Sequence, residues 1–369
     1  MKKLIYVTYQ TFPANTANSL QTISNITHIV KNDCEVDLYF PLREKSSSND
    51  FLKLQDFYSI SNTFNIFGLK HNYPHGKINI FKPFFYHISH YLWSKQTIKK
   101  YFKNNYEDVF LTRSDWIAYF LGKQGSNVTF EIHQTSKLRD FIIKKLSKFS
   151  NVKIIFLHEN LKINYENIIN NKNIVLHNGV DSSLFKNNTL KDREKIVFLG
   201  KITRFDKSRG VEKLIEIFNN DYIKENFTLD IIGCSEKEKE AISQLLHKHC
   251  LDKCIKTYEW LSRKDAIAKI QSASYGLLIN SPDNSHSYLY TSPLKYFEYL
   301  YADLKVLAVD FPSHRDLPLS KYLNFFSLEK KESFVDALMQ AKKTDVISKE
   351  ELETITLDSR ATSILNFIF

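Results

Sequence analysis

The sequence predicts an α/β protein built as two doubly wound domains that face each other across a central cleft. Three observations lead there. The chain has 369 residues, which at roughly 150 residues per domain is about two domains. It is 43% hydrophobic and 25% charged, the balance of an ordinary globular protein, which argues against wholesale disorder. Short runs of β-branched and aromatic residues recur along it, six in each half, with helical periodicity between them. Strands this apolar belong to parallel sheets covered on both faces.

In the first half the runs are LIYVTY (4–9), EVDLYF (35–40), VFLTR (109–113), VTFEI (128–132), VKIIFL (152–157) and NIVLHN (173–178). The second half repeats the theme with KIVFLG (195–200), TLDIIG (228–233), IKTYEW (255–260), YGLLIN (275–280), KVLAVD (305–310) and NFFSL (324–328). Leu20, Ile23, Ile26 and Val30 follow the first run at helical spacing, as Val211, Leu214, Ile215 and Phe218 follow the seventh. The right-handed crossover rule then winds each set into its own sheet. The junction is placed within HNGVDSSLFK, giving domains 1–180 and 181–355, and the final piece, ending SILNFIF, is a helix over 356–369 that packs back toward the first domain. In open α/β sheets ligands bind beyond the carboxyl ends of the strands, so the loops after the strands are where chemistry is expected.

Charge is uneven between the halves. Residues 1–186 hold 24 of the 51 Lys+Arg but only 14 of the 41 Asp+Glu, leaving 27 against 27 for the remainder, so the net charge of +10 belongs to the first half. Within it, residues 57–106 contain no acidic side chain, and Lys70, Lys77, Lys82, Lys95, Lys99, Lys100 and Lys103 interleave with Phe81, Phe84, Phe85, Tyr86, Tyr91 and Trp93. Lysines among interfacial aromatics suit an anionic membrane surface or an acidic ligand; a solvated helical face over a core has the same composition. Nucleic acid is not the expected partner, because no zinc-finger or RNP-like spacing is present and Lys exceeds Arg by 42 to 9, which leaves little for bidentate base readout. No uncharged apolar run approaches the roughly 18–20 residues of a bilayer span. The start, MKKLIYVTY, enters a strand with no cleavage-like site, and Cys34, Cys234, Cys250 and Cys254 are too scattered for a disulfide framework. The expectation is a cytoplasmic protein.

The most informative segment is YLYTSPLKYFEYLYA (288–302). Ser292 is a good N-cap and Pro293 a good first helical residue, so a helix is expected to open there with its free N–H groups toward the cleft, an arrangement that suits an anion. Glu298 shares a face with Leu294 and Tyr301 and needs a partner; a ribose or sugar diol would serve, and so would an i,i+3 pair with Lys295 on a wet face. In FLGKITRFDKSRGVEKLIEIF, Gly200 allows close backbone approach, and Lys201 and Arg209 are two cations at one loop that can clamp a diphosphate or be simply solvated.

At this point the chain resembles the nucleotide-sugar-dependent retaining glycosyltransferases of family four, which have the GT-B architecture of two Rossmann-like domains. The resemblance rests on HNGVDSSLF (177–185), the GK…RGVEKLI stretch, TLDIIG, IKTYEWLS and SPLKYFEYL, in that order, with LTRSD and FEIHQ upstream. It implies that the first domain binds the acceptor and the second the donor. Lys201 and Arg209 would hold the donor diphosphate beside Gly200, Tyr290 and Thr291 would flank it, and the amides of Ser292, Leu294 and Lys295 would cap the phosphates. Glu298 would hydrogen-bond the ribose. His133 would reach the donor sugar and the acceptor hydroxyl, with Ala17, Asn18, Ser19 and Arg113 on the acceptor side. No metal or cofactor is implied beyond the nucleoside-diphosphate sugar, a UDP-sugar by preference, and the sequence has no D-x-D triplet. Fixed cations and a helix terminus suffice in principle to stabilise a departing diphosphate.

The implied function is transfer of a sugar, with retention, to a hydroxyl of a glycan or lipid-linked acceptor. The setting is bacterial surface polysaccharide or glycolipid synthesis, at the inner face of the plasma membrane. The chain departs from the family pattern in three places: Tyr290 stands where a first glutamate is expected, TFPANTANS lacks a Gly-Gly, and His158 replaces a common Ser. The loss at 290 is the best support for the alternative, a non-catalytic nucleotide- or glycan-binding scaffold. A dinucleotide oxidoreductase is disfavoured, since none of the nine glycines forms a G-x-G pair, and HKHCLDKC lacks the second remote pair of a zinc site. Along FEIH, alternation is expected to turn one of Glu131 and His133 away from the cleft, and Glu131 is given no catalytic role.

Overall fold

The structure is a computed structural model that describes residues 2–75, 81–185, 190–204 and 207–369. The chain divides into two compact units, Met1–Leu176 with Leu357–Phe369, and His177–Thr356.

Among the described residues the first unit is built on a parallel sheet of seven strands: β1 (Lys2–Val7), β2 (Cys34–Leu42), β3 (Asn65–Lys70), β4 (Val109–Thr112), β5 (Asn127–Ile132), β6 (Val152–Phe156) and β7 (Asn173–Val175). Their order is β3-β2-β1-β4-β5-β6-β7. Wholly buried runs such as Leu4–Val7 and Ile154–Phe156 sit in its middle, as expected of strands covered on both faces. On one face Ile23, Ile26 and Ile29 of the helix Ala17–Lys31 pack with Ala361, Ile364 and Leu365 of the helix Leu357–Ile368. The last helix thus completes the core of the unit in which the chain begins.

The strand β3 was not among the six runs read from the first half. It lies at the edge of the sheet with half-exposed side chains, and its pattern, interrupted by Gly68, resembles neither a buried strand nor a clean alternation. The lysine-rich stretch 57–106 is therefore divided between this strand and a long helix, Lys82–Tyr101. Lys77 lies outside the described residues.

The second unit repeats the plan. Its parallel sheet contains β8 (Lys195–Leu199), β11 (Thr228–Ile232), β12 (Ile255–Tyr258), β13 (Tyr275–Leu278), β14 (Lys305–Val309) and β15 (Leu323–Phe326), in the order β12-β11-β8-β13-β14-β15. A small antiparallel pair, β9 (Thr203–Arg204) and β10 (Lys207–Ser208), stands in the loop after β8. Val211, Leu214, Ile215 and Phe218 enter the core on one face of the sheet, and Tyr296, Phe297, Tyr299 and Leu300 that on the other. In both sheets the chain runs outward on one side and then returns to the other, so there is a switch point between β1 and β4 and another between β8 and β13. Open α/β sheets bind ligands beyond the carboxyl ends of strands at such points.

Candidate functional site

At the switch point of the second unit, β8 ends in Gly200, which has φ +131° and donates its N–H to Ile232 O at 2.9 Å. A Cβ on Gly233, at the end of β11, would come within 3.0 Å of the Gly200 backbone, and one on Gly200 would lie 3.1 Å from Arg209 Nη1. Two strand ends thus approach as closely as bare backbone permits, with a guanidinium against them. Lys201 follows in solvent, its Nζ 6.0 Å from the centre of the exposed Trp260 ring.

The other side of the switch point is the chain after β13. His286–Tyr290 forms a single turn of π-helix, a form frequent at functional sites, and Tyr290 is half-buried at its end. Thr291 and Ser292 are buried. The helix then runs Leu294–Tyr301 with Pro293 as its cap residue. Ser292 does not cap it with its side chain as expected. The hydroxyl instead accepts the Asn178 N–H at 3.1 Å, and the Ser292 carbonyl accepts Asn178 Nδ2. Asn178 belongs to HNGVDSSLF, so two of the sequence motifs are fastened to each other here. Leu294 is half-buried.

Two further residues of this helix remove one of the alternatives left open for Glu298. Lys295 and Glu298 are both buried, so the wet-face pair does not form; Lys295 Nζ stands 4.0 Å over the Phe198 ring, and Glu298 is salt-bridged to Arg263. Arg263 was not singled out in the sequence, since nothing in SRKD marks it beyond the start of a helix after Ser262. Tyr299 ties helix to strand: its ring packs on Gly276 of β13, and its hydroxyl accepts the Leu199 N–H at 2.9 Å. The segment that carries Glu298 is thereby held to the strand that carries Gly200 and Lys201.

At the switch point of the first unit, Arg113 leaves β4 and His133 leaves β5. Arg113 Nη2 donates to His133 Nδ1 at 2.6 Å and to Gln21 Oε1 at 3.0 Å. With Nδ1 accepting, the ring proton is on Nε2, which donates to Glu131 Oε1 at 2.7 Å. The same carboxylate oxygen accepts Arg360 Nη2 at 2.6 Å from the closing helix, and Arg360 also reaches Asn25. Burial, with Arg113 beside it, pushes the His133 imidazolium down to about 3, so the ring is neutral. Burial opposes ionisation of Glu131, but Arg360 and the hydrogen bond from His133 outweigh it and hold this carboxyl well below the usual range.

This network corrects the reading of FEIH. Residues two apart share a side of a strand, and Glu131 and His133 touch. The spacing could have revealed that much; Arg360 could not be found, because its partner is 229 residues away. Ala17 and Asn18 lie exposed on the first turn of the helix Ala17–Lys31. Ser19 is buried, its N–H bonded to Thr16 Oγ1 and its own Oγ accepting from the same hydroxyl. Among the described residues, no three His, Cys, Asp or Glu side chains converge to hold a metal ion.

No family model and no curated protein sequence matches the chain. Solved structures do. Sucrose-phosphate synthase from Thermosynechococcus elongatus matches with a TM-score of 0.73 at 12% identity, over 99% of this chain and 98% of that one. The trehalose-6-phosphate protein of E. coli solved with UDP-2-fluoro glucose matches with a TM-score of 0.66 at 11% identity, over 100% and 99%. WaaG, a glycosyltransferase involved in lipopolysaccharide biosynthesis, matches with a TM-score of 0.56 at 12% identity, over 98% and 95%. Likeness at this level of identity is likeness of fold. The chain has the GT-B fold of the glycosyltransferases its sequence resembles.

Proposed function

We propose that the protein is a metal-independent, retaining glycosyltransferase. It moves a sugar from a nucleoside-diphosphate sugar, a UDP-sugar by preference, to a hydroxyl of a glycan or lipid-linked acceptor in bacterial surface polysaccharide or glycolipid synthesis. The observation that carries this reading is the switch point of the second unit, where Gly200 offers bare backbone, Arg209 lies against it, Lys201 stands in solvent and Glu298 is buried on the helix beyond β13. The fold match to a protein solved with UDP-2-fluoro glucose supports the nucleotide, and the match to WaaG supports the class of product.

On this reading Lys201 and Arg209 hold the diphosphate and offset the charge it gains as it departs. The amides that open the helix Leu294–Tyr301 add their partial positive charge. Arg263 is salt-bridged to Glu298 through Oε1, and the ribose diol donates to Oε2. Tyr290 and Thr291 bound the sugar. The acceptor lies along Ala17, Asn18 and Ser19. In the free protein both nitrogens of His133 are engaged; an acceptor that draws Arg113 to itself frees Nδ1 to accept a hydrogen bond from the reacting hydroxyl. The protein works in the cytoplasm, in peripheral contact with the inner face of the plasma membrane; among the described residues no helix is long and apolar enough to cross it.

Calorimetric titration with UDP, GDP, ADP and NAD, with and without Mg²⁺, tests the donor site. One nucleoside diphosphate is expected to bind without metal, to be lost in Lys201→Ala and to be weakened in Glu298→Gln with the fold retained. Absence of binding to all four, or binding only with Mg²⁺, would overturn the reading.

A further inference from the structure

The helix Lys82–Tyr101 is apolar on its outward side as well as its inward one. Its buried face mixes Trp93 at 1% and Ile98 at 3% exposure with Ser89 and Ser94 at 0% and His90 and Thr97 at 3%. Its outward face carries Phe84 at 61%, Ile88 at 37% and Leu92 at 38% exposure. These three residues recur every four positions, which places them on one side of the helix, and the same side continues into Lys95 and Lys99. Phe81, just before the helix, is 75% exposed. Amphipathic helices of soluble proteins normally put the apolar stripe inside and the hydroxyl side chains outside.

An apolar stripe facing outward needs something apolar to cover it, and the charges around it decide what. Lys95, Lys99, Lys100 and Lys103 are exposed along the C-terminal half of the helix and just past it, and residues 57–106 contain no Asp or Glu to answer them. Two copies of this face would bring lysine against lysine. A bilayer of anionic phospholipid meets both demands, since its acyl boundary takes the phenylalanine, isoleucine and leucine while its phosphates take the ammonium groups.

We infer that the outward face of the helix Lys82–Tyr101, through Phe84, Ile88, Leu92, Lys95 and Lys99, is the surface by which the protein docks on an anionic membrane. The inference deepens the proposed function by naming where the protein meets the bilayer that holds a lipid-linked acceptor. Phe84 and the lysines make the contact; the buried face, with His90 stacked on Tyr9 at 4.4 Å between ring centres, holds the helix to the unit.

Co-sedimentation with vesicles, in the absence of any nucleotide, reads the surface directly. Full-length protein is expected to bind phosphatidylcholine vesicles containing about 30% phosphatidylglycerol roughly tenfold or more above pure phosphatidylcholine at low salt, and to lose much of that preference at about 0.5 M NaCl. Lys95→Glu, Lys99→Glu and Lys103→Glu together should abolish the preference. Phe84→Ser, Ile88→Ser and Leu92→Ser together should weaken binding to both compositions and keep the preference, with unchanged circular dichroism, because all three side chains are exposed. Equal binding of the unmodified protein to both vesicles at low salt overturns the inference, as does triple-serine protein that binds like the parent. A dimer that sediments in the parent and is lost in the triple-serine protein also overturns it, by assigning the face to a second copy. Calorimetry with the nucleoside diphosphate on the same preparations separates a failure here from a failure of the donor site.

Discussion

In the first unit the groups at the strand ends are charges buried against one another, whereas in the second the strand ends themselves are brought together and Lys201 is left in solvent. Glu131 is 2% exposed and takes both Arg360 and His133 on one oxygen, and Arg113 closes the network on the other ring nitrogen. At β8 and β11, by contrast, Gly200 and Gly233 touch backbone to backbone, and Lys201 stands in solvent. A charge neutralised inside a fold fixes the position of its neighbours and is costly to strip of its partner. A charge left in solvent, as on Lys201, contributes little to the fold. The first arrangement suits side chains that must be oriented, and the second suits a phosphate that must be cradled.

Four experiments sharpen or break that contrast. The largest effect is expected in the first unit: Glu131→Ala or Arg360→Ala strands a buried charge and should cost about 3–5 kcal/mol of stability in denaturant melts. A loss below the error of the melts would mean the network does not hold the unit. Next, Lys201→Ala and Arg209→Ala should each depress turnover by about 2–4 kcal/mol in transition-state stabilisation while leaving the melts unchanged, the reverse of the first pair. Destabilised folding with intact kinetics would collapse the distinction between the two regions.

The third test is pH. His133 and His90 are both held near 3 by burial, against 6.5 for an ordinary imidazole. Between those values the unfolded chain binds a proton that the folded one refuses, so stability falls as pH drops below about 6.5, by about 1.4 kcal/mol per unit for each histidine. Thermal unfolding at about pH 5 against about pH 7 should show a loss of about 2 kcal/mol per histidine. His90→Gln should remove its share of that loss. A flat profile would mean that these rings are not held neutral. The smallest effect is expected at Gly276→Ala, whose new Cβ would lie 2.5 Å from the Tyr299 ring and should cost about 1–3 kcal/mol by overpacking. An unchanged melting point would show that the contact between β13 and the helix Leu294–Tyr301 can give way.

The second unit was the more legible in the sequence. Its six runs became the six strands of its sheet, and Gly200, Lys201, Arg209 and Glu298 fall on the two sides of its switch point, because glycines, helix starts and strand ends are marked by residues close together in the chain. Arg263 escaped notice since a salt bridge between a helix start and a helix 35 residues later leaves no local mark. In the first unit β3 is not legible, because an edge strand need not be apolar.

The sequence by itself determined the two parallel sheets, through apolar runs whose period and length are short-range properties, and it determined where bare backbone could meet an anion, through its glycines. Tertiary structure alone decided which charges meet. Arg360 finds Glu131 only because the closing helix returns to the first sheet, and the helix Lys82–Tyr101 turns its serines inward and its phenylalanine out only because the sheet fixes which side it faces. Periodicity is a property of neighbours in the chain and can be read there; pairing and facing depend on contacts across hundreds of residues, and these exist only once the chain has folded.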